Sequence, residues 1–221
     1  MLSINQCYLD FVNKILKEGN NNLKLLKIDH FTYLANNDSI ESKVTTLKRN
    51  KKEIFENLFS GLDGFCWNKL IRRECFLLYN IHFVPGMVVW EDLYVCLNLV
   101  MNPIRIVYLP KAFYHYVRSV NENSLVNAIS RKKLESMLTF IEFFDKKCDR
   151  FDRSLLKMKK IEAKRAAFLI DGMTRAEFIS ILPETNQLFM DLFDGFRKID
   201  ALIQFALKKS WMLSRIVLKV W

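Results

Sequence analysis

The stretch CWNKLIRRECFLLYNIHFVPGMVVWEDLYVCLNLVMNPIRIVYLPKAFYHYVRSVNENS, Cys66 to Ser124, decides how the rest of the chain is read. It follows a turn sequence, Gly61-Leu62-Asp63-Gly64. Trp67, Leu70, Ile71 and Cys75 then share one face of an expected helix, with Lys69, Arg72 and Arg73 opposite. Phe83-Val84-Pro85-Gly86-Met87 breaks that helix and loops. From Glu91 a second helix is expected: Leu93, Cys96, Leu97, Val100 and Met101 recur at the i, i+3, i+4 spacing, and Asn102-Pro103 ends it. Residues 104–109 and 112–118 read as two strands joined at Pro110-Lys111.

Working outward, residues 4–18 carry an apolar helical stripe that Gly19-Asn20 stops. Residues 23–35 are rich in large apolar side chains and read as a strand of a buried sheet. Residues 36–50 are polar and turn-rich, a surface loop or an irregular edge hairpin. Residues 51–59 form a short helix pattern stopped by Ser60-Gly61. Beyond Ser130 the pattern becomes helical. Two long helices are expected over 131–148 and 154–170, the second basic through Lys157, Lys159, Lys160, Lys164 and Arg165. After Gly172 come shorter helices near 174–181 and 184–198. The final segment, from Asp200, is amphipathic: a helical wheel puts Ile203, Leu207, Trp211, Leu218 and Trp221 on one side, with Lys208, Arg215 and Lys219 on the other.

Composition narrows the class. The 221 residues are 51% hydrophobic with only 6 Gly and 4 Pro, which suits a folded, helix-rich protein. No apolar run is long enough to cross a bilayer, and the start lacks the pattern of a secretion signal. Five scattered cysteines without a CxxC pair argue for reduced thiols in a cytosolic compartment. The net charge of +10 favours a polyanionic neighbour. The commonest phosphate-loop, dinucleotide, zinc-protease and hydrolase signatures do not occur.

The acidic pair Glu91-Asp92 is the candidate for chemistry. At a helix start it reads first as a plain cap, since the dipole and open N–H groups there favour carboxylates. It also reads as a general base at the rim of a pocket, with Trp90 supplying an apolar wall. Trp67 reads as core or as a stacking platform for a sugar. Lys69, Arg72 and Arg73 read as a solvated face or as phosphate contacts. Arg118, at a strand end before a polar loop, is placed for an anion. His115 in FYHY reads as a half-buried sheet residue.

Three runs taken together, WNKLIRRECF, then IHFVPGMVVWEDLYVCLNLV, then IRIVYLPKAFYHYVRSVNENSL, resemble the carboxyl half of a family 2 glycosyltransferase of bacterial surface-polysaccharide type. The resemblance covers roughly residues 1 to 130. Trp67, Asn68, Lys69, Leu70, Arg72 and Arg73 match a WNKLxRR helix, and Trp90 to Leu93 match a (Y/W)EDL helix start. Tyr114, Tyr116 and Arg118 match a YxYR-like segment, with the arginine one place late. The resemblance implies an α/β fold: a truncated GT-A-like mixed sheet with flanking helices over 1–130, followed by a helical extension over 131–221. It implies transfer of a sugar from a nucleotide-sugar donor to a glycan or lipid-linked hydroxyl acceptor, with Asp92 as catalytic base and Glu91 beside it. Trp67, Lys69, Trp90 and Arg118 would contact substrate. The family uses Mg²⁺ or Mn²⁺, yet no Asp-x-Asp occurs in the sequence, and the donor-binding half that opens the family's chains is not recognisable here. The chain alone is therefore expected to bind nucleotide-sugars weakly.

A different class stays open: a non-catalytic module that pairs with a donor-binding partner at a membrane surface. For the tail, docking of the Trp211 and Trp221 arc on anionic lipid stands against packing on the protein's own core or on a partner, and a homo-oligomer is also open. Nucleic acid is disfavoured, because only charge speaks for it. The expected location is cytoplasmic, peripheral on the inner face of the cell membrane.

Overall fold

In a computed structural model the described residues are 25–34, 40–43, 58, 64–104, 106–118, 129–147, 153–191 and 197–220, with 25–34, 40–43 and 106–118 described by their backbone alone. The helix expected over 4–18 lies outside them, as does that over 51–59 apart from Leu58.

The α/β expectation is overturned. Of the residues described with their side chains, 68% are helical and 2% are strand, so the protein is mostly helical and not a truncated GT-A-like mixed sheet. Strands are a minority of the backbone. β1 (Leu25–Leu34) pairs antiparallel with β2 (Ile40–Lys43) and with β3 (Lys69–Ile71), and parallel with β4 (Ile106–Arg118). That gives one parallel pair among the described residues, whereas an α/β fold is built on a run of parallel strands with helices on both faces. Among the residues described with their side chains, most of the buried apolar ones lie on helices.

Two local expectations change as well. The single helix expected to start at Trp67 is β3 followed by α1 (Arg73–Leu78). Strand pairing of Lys69 to Ile71 with Leu25 to Lys27 outcompetes the helical pattern there. The expected turn at Pro110-Lys111 is a bulge inside one strand: Ile28 faces Leu109 while Asp29 faces Ala112. Proline cannot donate to a ladder, and a bulge accommodates it.

The chain forms two compact units, Met1–Pro85 with Trp90–Ser124, and Gly86–Val89 with Leu125–Trp221. The core of the first is built on α2 (Glu91–Val100), which begins where the apolar spacing places it. Val95 and Leu99 of α2 are fully buried with Cys75, Ile81 and Ile104, and Phe76, Tyr79 and Tyr94 pack around them. Val95 and Leu99, one turn apart on one face of α2, thus pack it against α1 and the segment after it.

The second unit is helix on helix: α3 (Arg131–Asp145), α4 (Arg153–Leu169), α5 (Arg175–Ser180), α6 (Glu184–Asp191), α7 (Lys198–Lys208) and α8 (Trp211–Val220). The helix ends follow sequence signals. The Ser130 side chain accepts the Lys133 N–H, and Thr174 with Glu177 forms a capping box. Gly172, at φ +72°, takes the left-handed turn after α4. Phe140, Phe144, Phe168, Phe178 and Phe189 fill the interior. The Val88 N–H reaches the Ser136 hydroxyl at 3.1 Å, which ties the Gly86–Val89 segment to α3.

The basic helix α4 leaves Lys157 exposed but turns Lys160, Lys164 and Arg165 toward partners. Arg165 forms a two-pronged pair with buried Asp200 of α7, at 2.6 and 2.7 Å. Lys160 reaches Glu184 at 2.9 Å and Asp145 at 3.5 Å. Lys164 is fully buried and donates to the Phe178 and Ile181 carbonyls at 2.5 Å each, where α5 ends, with its ammonium 4.2 Å from the Phe178 ring centre. It thereby satisfies carbonyls that a helix end leaves open.

The tail departs from the helical wheel. The expected single helix is two, α7 and α8, broken at Ser210. Ile203 is fully buried, and Trp211 packs on Phe168 and Phe178 at 5.6 and 5.2 Å between ring centres. Arg215 donates to the Phe168 and Ile170 carbonyls. The arc expected to meet lipid through Trp211 is therefore an inner face; Trp221 lies outside the described residues.

Burial pushes the Lys164 ammonium down to about 8, against a weaker upward pull from Glu184. The folded value lies below the unfolded one, so the unfolded chain binds more protons between them. The stability this contributes is complete above the unfolded value and is lost as pH falls through about 8. Urea unfolding from pH 7 to 10.5 should show the parent gaining stability relative to Lys164→Met as pH rises. A constant difference between the two would contradict this.

Candidate functional site

The site expected from sequence is the N-terminus of α2 and the turn that meets it. Gly64 makes that meeting possible. A Cβ there would lie 3.0 Å from Leu93 Cδ1 and 3.1 Å from the Leu58 carbonyl oxygen. With only a hydrogen at that position, the turn lies flat on the first turn of α2.

Two residues on, the Cys66 N–H donates to Asp92 Oδ2 at 3.0 Å. The Cys66 thiol lies 3.8 Å from the Asp92 carbonyl oxygen and 3.8 Å from Cys96 Sγ. Contact with Cys96, burial and the nearby Asp92 carboxylate all push the Cys66 thiol up, so it stays protonated and is no nucleophile at neutral pH.

Trp90 precedes the acidic pair with φ 61° and ψ 13°, the left-handed region. For a large side chain this is a strained backbone, and such residues concentrate where the surroundings impose a fixed direction on the chain. Its side chain makes no cap to the helix. Glu91 and Asp92 therefore occupy the first turn, beside the open N–H groups of the helix start. Asp92 is half-buried and oriented by Cys66. Glu91 is also half-buried and makes no hydrogen bond or ion pair among the described residues.

The remaining candidates divide. Trp67 stacks on Phe65 with ring centres 5.6 Å apart and planes 27° apart. Lys69 turns back on its own turn, donating to the Phe65 carbonyl at 2.5 Å and to Asn68 Oδ1 at 2.7 Å. Arg72 pairs with Glu74 at 3.5 Å, and Arg73 is exposed. The Arg118 backbone stands at the end of β4, opposite Leu34, and its side chain lies outside the described residues; His115 stands opposite Phe31 in the same ladder. The structure thus joins the turn that carries Trp67 and Lys69 to Asp92 through Cys66, with Trp90 and Glu91 adjacent to Asp92 in sequence. Sequence reasoning passed over Gly64 and Cys66. The signal for them was the glycine two places ahead of a cysteine, at the start of the matched run.

Among the described residues no three His, Cys, Asp or Glu side chains converge on a point a cation could occupy. These residues therefore do not fit the Mg²⁺ or Mn²⁺ that the resemblance implies. No helix among them is long and apolar enough to cross a membrane. Comparison with protein-family models, with curated proteins and with solved structures returned no match.

Filling the Gly64 contact should separate the turn from α2. Gly64→Ala is expected to cost about 1–3 kcal/mol, the usual range for overpacking. Thermal melting measures the loss, and amide exchange at Cys66 should speed up because its acceptor moves away. A variant with an unchanged melting point and Cys66 protection would show that the close approach carries no stability.

Proposed function

We propose that this chain is glycosyltransferase-like and serves the acceptor side of sugar transfer in polysaccharide or lipid-linked glycan synthesis, on the cytoplasmic side of the membrane. The observation that carries this reading is the oriented carboxylate. Oδ2 of Asp92 is held by the Cys66 N–H, which leaves Oδ1 for an acceptor hydroxyl. A base of this kind takes the hydroxyl proton as the oxygen attacks the anomeric carbon, and the bond to the nucleoside diphosphate breaks with its electron pair leaving on the diphosphate. The Phe65–Trp67 stack beside it offers an apolar face suited to a sugar ring. The order of the WNKL, WEDL and YHYVR runs supports the same reading. No step is assigned to a metal.

A second reading, a non-catalytic module that pairs with a donor-binding partner, is favoured by Lys69, whose ammonium is engaged by its own turn.

Asp92→Asn separates chemistry from architecture, because an amide oxygen still accepts the Cys66 N–H. Acceptor binding should be followed by amide NMR on the full chain with a panel of saccharides. Shifts are expected at Cys66, Trp67 and Trp90 to Leu93. Asp92→Asn should keep the melting point and weaken binding about tenfold or more, as loss of a charge-assisted hydrogen bond does. Saccharides that leave these amides unmoved, or an Asp92→Asn chain that binds as tightly as the parent, would sink the sugar-transfer reading.

A further inference from the structure

Helix α8 is ten residues long and has two apolar sides. The inner one carries Trp211 and buried Ser214. The outer one carries Met212, Leu213, Ile216, Val217 and Val220, which are 69%, 52%, 52%, 42% and 82% exposed. At 3.6 residues per turn these five fall on one continuous arc of about 140°. Single exposed aliphatics are ordinary on a protein surface, but five on one helix face mark an interaction surface.

The charge that this stretch of chain itself brings to the arc is basic, although exposed Asp171 lies 3.6 Å from Arg215 on the other side of α8. Lys208 and Lys209 precede the helix and Lys219 stands at the edge of the arc, all three exposed. From residue 201 to 220 there is no Asp or Glu, and the chain from 131 to 221 carries 19 Lys and Arg against 12 Asp and Glu. Two copies meeting through this face would bring the lysine rims together, which costs free energy. A neutral apolar partner would leave the rim unused. An anionic lipid surface takes both parts: acyl chains meet the aliphatic arc while headgroup phosphates meet the lysines. The helix is too short to span and suits the plane of the interface. We propose that α8 docks by its Met212–Val220 face into the interfacial layer of an anionic bilayer. This does not depend on the sugar-transfer reading.

The test is flotation of the full chain with vesicles of phosphatidylcholine alone and of phosphatidylcholine mixed with phosphatidylglycerol, with sedimentation run in parallel. The chain should float with the anionic vesicles, less so as salt is raised, and stay behind with the neutral ones. Ile216→Asp with Val220→Asp should reduce flotation about tenfold or more, since both carboxylates would have to enter the apolar layer. Lys209→Glu with Lys219→Glu leaves the apolar arc intact and should reduce it as well, which keeps the test decisive if the first variant misfolds. Failure to float with anionic vesicles, flotation indifferent to both variants, or a dimer in solution that the first variant abolishes would each overturn the proposal.

Discussion

One hydrogen bond organises the first unit's candidate site: the Cys66 amide to the Asp92 carboxylate, across 26 residues of sequence. It does two things at once. It ties the turn that carries Trp67 and Lys69 to the mouth of α2, and it gives a flexible carboxylate a single orientation. Its geometry depends on the missing side chain at Gly64, which lets the turn approach Leu93, and on α2 being anchored from below by Val95 and Leu99. Holding the turn and acting as a base are therefore compatible roles for Asp92, because a carboxylate has two oxygens and the Cys66 N–H uses one.

The second unit rests on a different balance. Its interior is aromatic, yet α4 runs through it with Lys160, Lys164 and Arg165 each turned toward acceptors. Burying a cation is costly unless it is paired, and the cost of leaving one unpaired is larger still. Asp200 and the carbonyls at the end of α5 are thus required for α4 to lie where it does. The arrangement makes the mutual placement of α4, α5 and α7 specific, which aromatic packing alone does not.

What was legible in the sequence follows from this physics. The apolar spacing after Glu91, the change of pattern after Ser130 and the break at Gly172 are local signals, and the corresponding helix ends stand close to them. The class was not legible. The run LLKIDHFTYL does form the strand its pattern suggests and pairs with three others, but the pattern carries no information about how much of the chain builds a parallel sheet around it. Residues 69–71 show the same limit from the other side: Leu70 and Ile71 fit a helical face, but a partner strand decided otherwise. The tail was misread because α8 is apolar on both sides, so a wheel could not say which side meets the core; Phe168 and Phe178 decide it by stacking on Trp211. At the site, the acidic pair was visible in sequence, whereas its orientation by a backbone amide far away in the chain was not.

The ammonium of Lys164 has three hydrogens, and all have a destination: two carbonyl oxygens and an aromatic face. Fully buried behind these partners, it leaves an electrophile no room to approach, with or without its proton. Acylating reagents that modify the surface lysines within minutes will reach it only when α4 and α5 come apart. Its labelling rate is thus a built-in clock for the breathing of the helical unit, readable by mass spectrometry without any engineered probe.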